Sequence, residues 1–259
     1  MLETIQKFLP IHQIYFFLLK ILKFVYNFFV KNSYIPIINY KEYELNLLGV
    51  NEFYNQTNSR LRFWYNHIKT NAYKKDGDIF EFGVYQGNSL ISAALILKEL
   101  NSKKKVFGFD TFKGFPSYSK FDDLKNFYNL KYFTKSFVKE YERFLKSKKI
   151  ITGLKKFTPK LIATSLNFNQ TSFKSLKKKI DYLKLDNIEI IEGSFIKTVP
   201  DFFKSQKIKI SSCNLDCDLY TGYKITLPYV YKNLSKGGYI HLDEYYSLKY
   251  PGAKIATDD

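Results

Sequence analysis

Cysteine is nearly absent from this chain of 259 residues: Cys213 and Cys217 stand four apart, with no second pair and no histidine pattern beside them. That argues against a disulfide scaffold and a zinc site and fits a reduced, cytoplasmic protein. Tryptophan and methionine occur once each, and arginine is scarce. No helical run carries the arginine-rich patterning that reads a nucleic-acid groove, so specific nucleic-acid recognition is not expected. Acidic residues are the minority charge, 24 against 41 Lys and Arg, leaving a net charge of +17. Such an excess can attract nucleic acid, anionic lipid or nucleotide-sugar phosphates, but the preferred reading is a lysine-rich solvated surface. What abounds is Phe, 25 residues, and Tyr, 22, alongside Lys, Asn and Ile, a pattern that looks like coding bias. A hydrophobic fraction of 45% excludes disorder, and the length suits one α/β domain with decoration.

Residues Ile14 to Val30 form an apolar stretch broken by Lys20, Lys23 and Asn27, which with Lys31 fall on one helical stripe. The stretch is short for a spanning helix and lacks the small-residue cleavage pattern of a secretory signal. Two readings stand: an amphipathic helix on an anionic membrane face, giving residues 1–31 a peripheral contact, or a helix packed on the domain or on a partner in a homo-oligomer. Asn32 to Tyr40, with Pro36, reads as a linker. Residues 1–40 are therefore set apart from a domain of 41–259.

Within that domain, Leu61, Trp64, Tyr65 and Ile68 mark one face of a helix inside 51–74. Strands are predicted at Asp78–Phe82, Lys105–Asp110, Ile188–Glu192, Lys207–Leu215 and Gly238–Leu242. Helices are predicted at Ser89–Leu100, Phe137–Lys149, Ser172–Leu185 and Tyr220–Leu234, the last disturbed by Pro228. Alternation of strand and helix implies an α/β fold, doubly wound, with a mostly parallel Rossmann-like sheet and helices on both faces. A helical insertion at about 118–170 would overhang the carboxyl edge of that sheet, as a substrate lid or as plain decoration.

Three groups of residues carry chemistry. Gly83 and Gly87 bracket a tight turn between the first strand and its helix, whose opening amides and Ser89 hydroxyl suit a carboxylate or phosphate. The spacing G-x-x-x-G is not the G-x-G-x-x-G of an NAD or FAD site. Asp110 ends the second strand, where an acid can accept hydrogen bonds from ribose hydroxyls. Together they predict a ribose-bearing cofactor at the sheet's switch point. Lastly, Asp216, Asp218, Asp243 and Glu244 follow the fourth and fifth strands, which neighbour one another in such a sheet. Carboxylates that close call for a cation, a shared proton or a substrate donor among them, and Mg²⁺ would satisfy them.

The segments DIFEFGVYQGNSL, VFGFDTFKGFP, IEIIEGSFIKTVP, NLDCDLYTGYK, LSKGGYIHLDEY and YPGAKIATDD resemble, in order, those of the macrocin O-methyltransferase (TylF/MycF-like) family over about 76–259. The resemblance implies a class I S-adenosylmethionine-dependent methyltransferase that methylates a sugar hydroxyl on a glycan, nucleotide-sugar or secondary metabolite. By that resemblance Glu81, Gly83, Val84, Tyr85, Gly87 and Ser89 would hold the methionine part of S-adenosylmethionine, with Asp110 and Thr111 at the ribose and Ser194 near the adenine. Asp216 would be both metal ligand and general base, with Asp243 and Glu244 completing a Mg²⁺ site. The family's metal pair is commonly Asp-Asp, and here it is Asp243-Glu244.

Beyond the fifth strand the sequence offers nothing that reads as the usual closing helix and antiparallel strand pair, so that strand is expected to be a bare edge. A truncated, inactive, membrane-associated scaffold is the alternative these features raise.

Overall fold

The computed structural model describes residues 50–53, 56–74, 76–163 and 167–259, together with Leu18 and Ile21. The apolar helix and linker expected over 1–40 thus lie, those two residues apart, outside the described residues. No helix among the described residues is long and apolar enough to cross a membrane.

Five strands form one sheet in the order β3-β2-β1-β4-β5: β1 (Asp78–Phe82), β2 (Val106–Asp110), β3 (Ile188–Glu192), β4 (Ile210–Leu215) and β5 (Leu234–Leu242). All four pairings are parallel, as the alternation of strand and helix predicts. β1 and β4 are buried along almost their whole length, so neither shows the alternation of a half-exposed strand, and β4 buries Ser211, Ser212 and Asn214 alongside its apolar residues. Parallel register places Phe80 beside Phe107 and Phe82 beside Phe109, and their rings stack at centroid distances of 4.9 and 4.7 Å. Phe202 of α6 (Phe195–Ser205) meets Phe80, Phe107 and Phe109 with its edge. Each buried ring of this kind contributes roughly 1.5–3 kcal/mol.

On the opposite face lie α1 (Arg62–Asn71) and α2 (Asn88–Glu99). α1 buries Trp64, Tyr65 and Ile68, the stripe its spacing predicts, with Leu61 just ahead of it. α2 is buried from Ser89 through Leu97, an apolar helix sealed between sheet and α1.

The insertion contains two 3₁₀ turns, Lys120–Asp122 and Leu124–Tyr128, then α3 (Lys135–Thr152) and the single turn α4 (Pro159–Ile162). It has an apolar centre of its own, in which Leu124, Phe127, Phe133, Tyr141 and Ile162 pack with Leu219, Tyr250 and Ile255 from the main domain. Buried Asp122 fastens the two parts together: Oδ1 accepts from the Tyr220 N–H at 2.8 Å, at the start of α7 (Tyr220–Asn233), while Oδ2 accepts from the backbone and hydroxyl of Ser119. The crossover helix α5 (Phe173–Tyr182) follows, as predicted.

Two expectations are corrected at the end of the chain. β5 begins at Leu234, ahead of the predicted Gly238, because an irregularity against β4 absorbs the Lys-Gly-Gly segment inside the strand. Nor does the polypeptide finish without a helix: α8 (Pro251–Asp258) follows β5, starting on a proline at its first turn and burying Ala253, Ile255 and Ala256. Within the described residues β5 is an edge strand, as expected.

Candidate active site

The order β3-β2-β1-β4-β5 reverses direction between β1 and β4, and in such sheets the crevice beyond the carboxyl ends at that point takes the ligand. The five strand ends are held level there by four backbone bonds running one residue past the strands. Gly83 donates to Phe109, Gly193 to Asp110 and Asp216 to Phe82, each at 2.9 Å, and Asp243 donates to Leu215 at 3.0 Å. Above them opens a cavity of about 850 Å³, within the roughly 300–1,000 Å³ usual for small-molecule sites.

Its floor is the turn after β1. Gly83 has φ +94°, and a β-carbon there would collide with the backbone oxygen of Asp216, so only glycine lets β1 and β4 leave the sheet side by side. Tyr85 follows with φ 51°, an uncommon conformation for a side-chain-bearing residue. Asp110 holds this turn in place. Its Oδ2 accepts from the N–H groups of Val84 and Tyr85 at 2.8 Å, and its Oδ1 accepts from Phe112 at 2.7 Å. The carboxylate expected to face a ribose is thus also the clamp of the glycine turn, with Oδ1 the less occupied oxygen. Gly87 caps α2 with no side chain, so the first amides of that helix are available toward the cavity, as a carboxylate ligand needs. Asn88 lines the same wall, and its Oδ1 is buried without a partner among the described residues.

Of the residues expected at the cofactor, Gly83, Val84, Tyr85 and Ser89 line the cavity from one side, Asp110 and Thr111 from the next strand end, and Ser194 from the turn after β3. Gly87 and Glu81 do not reach the lining. Glu81 is fully buried beneath the floor, with its Oε1 accepting from Asn214 at 2.8 Å. Burial pushes its carboxyl up to about 8.

The acidic side of the cavity departs from expectation in two ways. Asp216, Asp218 and Glu244 present carboxylate oxygens within 4.8 Å of one another, so Asp218 stands where Asp243 was expected in the cluster. Asp243 instead pairs with Arg60, whose guanidinium also donates to Asp216 Oδ2 at 2.8 Å. Burial works to lower the Arg60 pKa, and the Asp216 charge overrides it and raises it. Burial pushes Asp218 well above the usual carboxylate range, with the Glu244 and Asp216 charges adding to it. Lys249 approaches Glu244 at 3.3 Å. His241, 3.4 Å from Asp243, is held below its ordinary value by burial and by Arg60. Four acidic side chains thus gather beside Arg60 and Lys249. Their all-oxygen, hard donor set fits a divalent ion such as Mg²⁺. Among the described residues the buried hydroxyls of Tyr118 and Tyr250 have no hydrogen-bond partner, and burial first, then the Asp218 charge, raises the pKa of both.

Tyr223 braces this side: its hydroxyl donates to the Leu215 oxygen at 2.7 Å and accepts from the Glu244 N–H at 3.1 Å, tying the end of β4 to the loop after β5. Aromatic rings from the insertion and the loops beside it, Phe115, Phe144 and Phe168, close the outer wall with Tyr246. Arg60 had no local signal as a site residue, although an arginine in so lysine-rich a chain is itself a mark.

Fold and cavity together define a class: a doubly wound α/β protein with its candidate site at the switch point of the sheet. The family model described as Macrocin-O-methyltransferase (TylF) matches residues 152–259. The calicheamicin methyltransferase CalS11 is similar in structure, with a TM-score of 0.59, 21% identity, and coverage of 91% of this chain and 81% of that one. The O-methyltransferase NovP gives a TM-score of 0.51 at 20% identity, covering 82% of this chain and 70% of that one. A comparison with curated proteins finds no match. The family match covers the C-terminal part of the chain, and the two structural likenesses, at 21% and 20% identity, bear on its fold. The family match runs from the last residue of α3 to α8, whereas the glycine turn and Asp110 stand on their own geometry and on the sequence resemblance.

Proposed function

We propose that the chain transfers the methyl group of S-adenosylmethionine to a hydroxyl of a sugar, carried on a nucleotide, a glycan or a secondary metabolite. The observation that carries this reading is one continuous cavity lined by the Gly83 turn, Asp110 and the Asp216 carboxylate. The TylF family match and the likeness to CalS11 and NovP support it.

S-adenosylmethionine supplies an electrophilic sulfonium methyl. The uncapped start of α2 receives its carboxylate, Asn88 its amino group, and Asp110 Oδ1 its ribose, with Ser194 on the adenine side. Glu81, under the floor, positions the turn through β1 and Asn214 rather than by touching the ligand. Asp216 takes the proton of the acceptor hydroxyl as the oxygen attacks the methyl carbon in line and the carbon–sulfur bond breaks. S-adenosylhomocysteine leaves, and the proton departs from Asp216 to solvent. Asp216 and Glu244, common to the expected ligand set and the observed cluster, would hold Mg²⁺, which supplies Lewis acidity toward the acceptor oxygen. Phe115, Phe144 and Phe168 offer faces for a sugar ring, and the insertion that carries Phe144 acts as the cover that excludes water.

Incubation with methyl-labelled S-adenosylmethionine and a panel of nucleotide-sugars and glycans tests the reading. Label should enter an acceptor hydroxyl, and Asp216→Asn should lower the rate by about 10²–10⁴-fold. Label transfer that Asp216→Asn leaves unchanged, or none to any sugar, would contradict it.

A further inference from the structure

The end of α3 and the turn beyond it combine two features that a solvated surface does not usually carry together. Ile150 is 77% exposed and Ile151 55%, and past the Gly153 cap Leu154 and Leu161 are 39% and 40% exposed. Lys146, Lys149, Lys155, Lys156 and Lys160 surround them, all exposed. From Arg143 to Ile180 the sequence has no acidic residue at all, so this segment is basic beyond the excess of the chain as a whole. Branched aliphatic side chains at the tip, ringed by lysines, match the depth profile of a bilayer interface: apolar groups entering the acyl boundary, ammonium groups at the phosphates. A nucleic acid would use the charge but leave the aliphatic tip in water. The apolar centre of the insertion does not need these side chains, since Tyr141 and Ile162 are its buried members here.

We propose that the insertion tip, residues 146–161, is a docking surface for an anionic lipid membrane. Phe144, on the cavity wall, lies about 10 Å along the same helix from Ile151, so docking would hold the cavity within reach of acceptors borne at a lipid surface. The surface stands on its own geometry and does not depend on methyl transfer.

The full chain should co-sediment with vesicles of phosphatidylcholine containing phosphatidylglycerol, weakly with phosphatidylcholine alone, and less as salt rises. The triple variant Ile150→Ser, Ile151→Ser, Leu154→Ser and the triple variant Lys149→Glu, Lys155→Glu, Lys156→Glu should each weaken binding by at least about tenfold. Both should keep the wild-type melting temperature, because every substituted side chain is exposed. A control with Lys204→Glu, Lys207→Glu and Lys209→Glu, exposed lysines elsewhere, should change little. The proposal is overturned if both tip variants bind like wild type, placing any attachment elsewhere in the chain. It is overturned too if the control loses as much as the tip, or if only the charge variant weakens, which would indicate a general polyanion surface. Loss of self-association in the serine variant, without change in vesicle binding, would make the tip a contact between two copies and sink it as well.

Discussion

Arg60 donates to Asp216 Oδ2 at 2.8 Å across 156 positions of sequence, placing a guanidinium on the carboxylate that the account makes the base. The same guanidinium pairs with Asp243, so it bridges two of the three carboxylates expected to bind metal. Two unit charges about 4 Å apart near a protein surface interact by about 4 kcal/mol, and the solvent exposure of Arg60 reduces that.

Arg60→Gln should therefore remove a competitor for the carboxylates. Titration with Mn²⁺, followed by its paramagnetic resonance signal, should show binding tightened by about tenfold or more. Weaker binding in the variant would mean that Arg60 builds the site instead of competing for it.

Asp110→Asn should cost more than an exposed substitution. An amide cannot accept on both sides, so at least one of the Val84, Tyr85 and Phe112 N–H groups loses its partner. A loss of about 2–3 kcal/mol in urea unfolding is expected, together with loss of stabilisation by S-adenosylhomocysteine. Unchanged stability would show that the turn holds without its clamp.

Two glycines in the same backbone region separate local strain from collision. Gly83→Ala should destabilise by at least about 3 kcal/mol, because the new methyl meets the Asp216 backbone. Gly153→Ala, at φ +70° in open space, should cost only about 1 kcal/mol. Equal midpoints in denaturant for the two variants would contradict the geometry.

Glu81 gives the ligand-free protein a pH signature. Its carboxyl is pushed up to about 8, so the folded chain holds that proton more tightly than the unfolded chain. The stability this contributes is complete below the ordinary carboxylate range, falls as pH rises, and is gone above about 8. Glu81→Gln lacks the titration, so its stability should gain on wild type by roughly 3–5 kcal/mol between about pH 5 and pH 8.5. A difference that stays flat with pH would show that Glu81 is ionised in the fold.

Much of this was legible in the residues, for identifiable reasons. β1 and β2 announce themselves because each is an apolar run ending on a residue that the turn requires, Gly83 or Asp110. α1 was readable from the stripe that Trp64, Tyr65 and Ile68 make. α8 was not, because Tyr-Pro-Gly reads as a loop until the proline is seen at a helix start. The early part of β5 was hidden by its Lys-Gly-Gly, which reads as a turn and is kept in the sheet only by the irregularity opposite β4. Arg60 was invisible for a different reason: its partners come from strand ends far along the chain, and no local pattern encodes such a pairing. The exchange of Asp218 for Asp243 is of the same kind. Sequence places both acids at the right edge, while the pairing of Asp243 with Arg60 is a contact that no local pattern encodes.

The most direct test of the central claim is calorimetric titration of the full chain with S-adenosylhomocysteine. One saturable site per chain, abolished by Asp110→Asn under conditions where that variant is folded, is the predicted result. No heat at millimolar ligand, or binding that the folded variant retains in full, would contradict the assignment of the cavity above Gly83 and Asp110 to the adenosyl ligand.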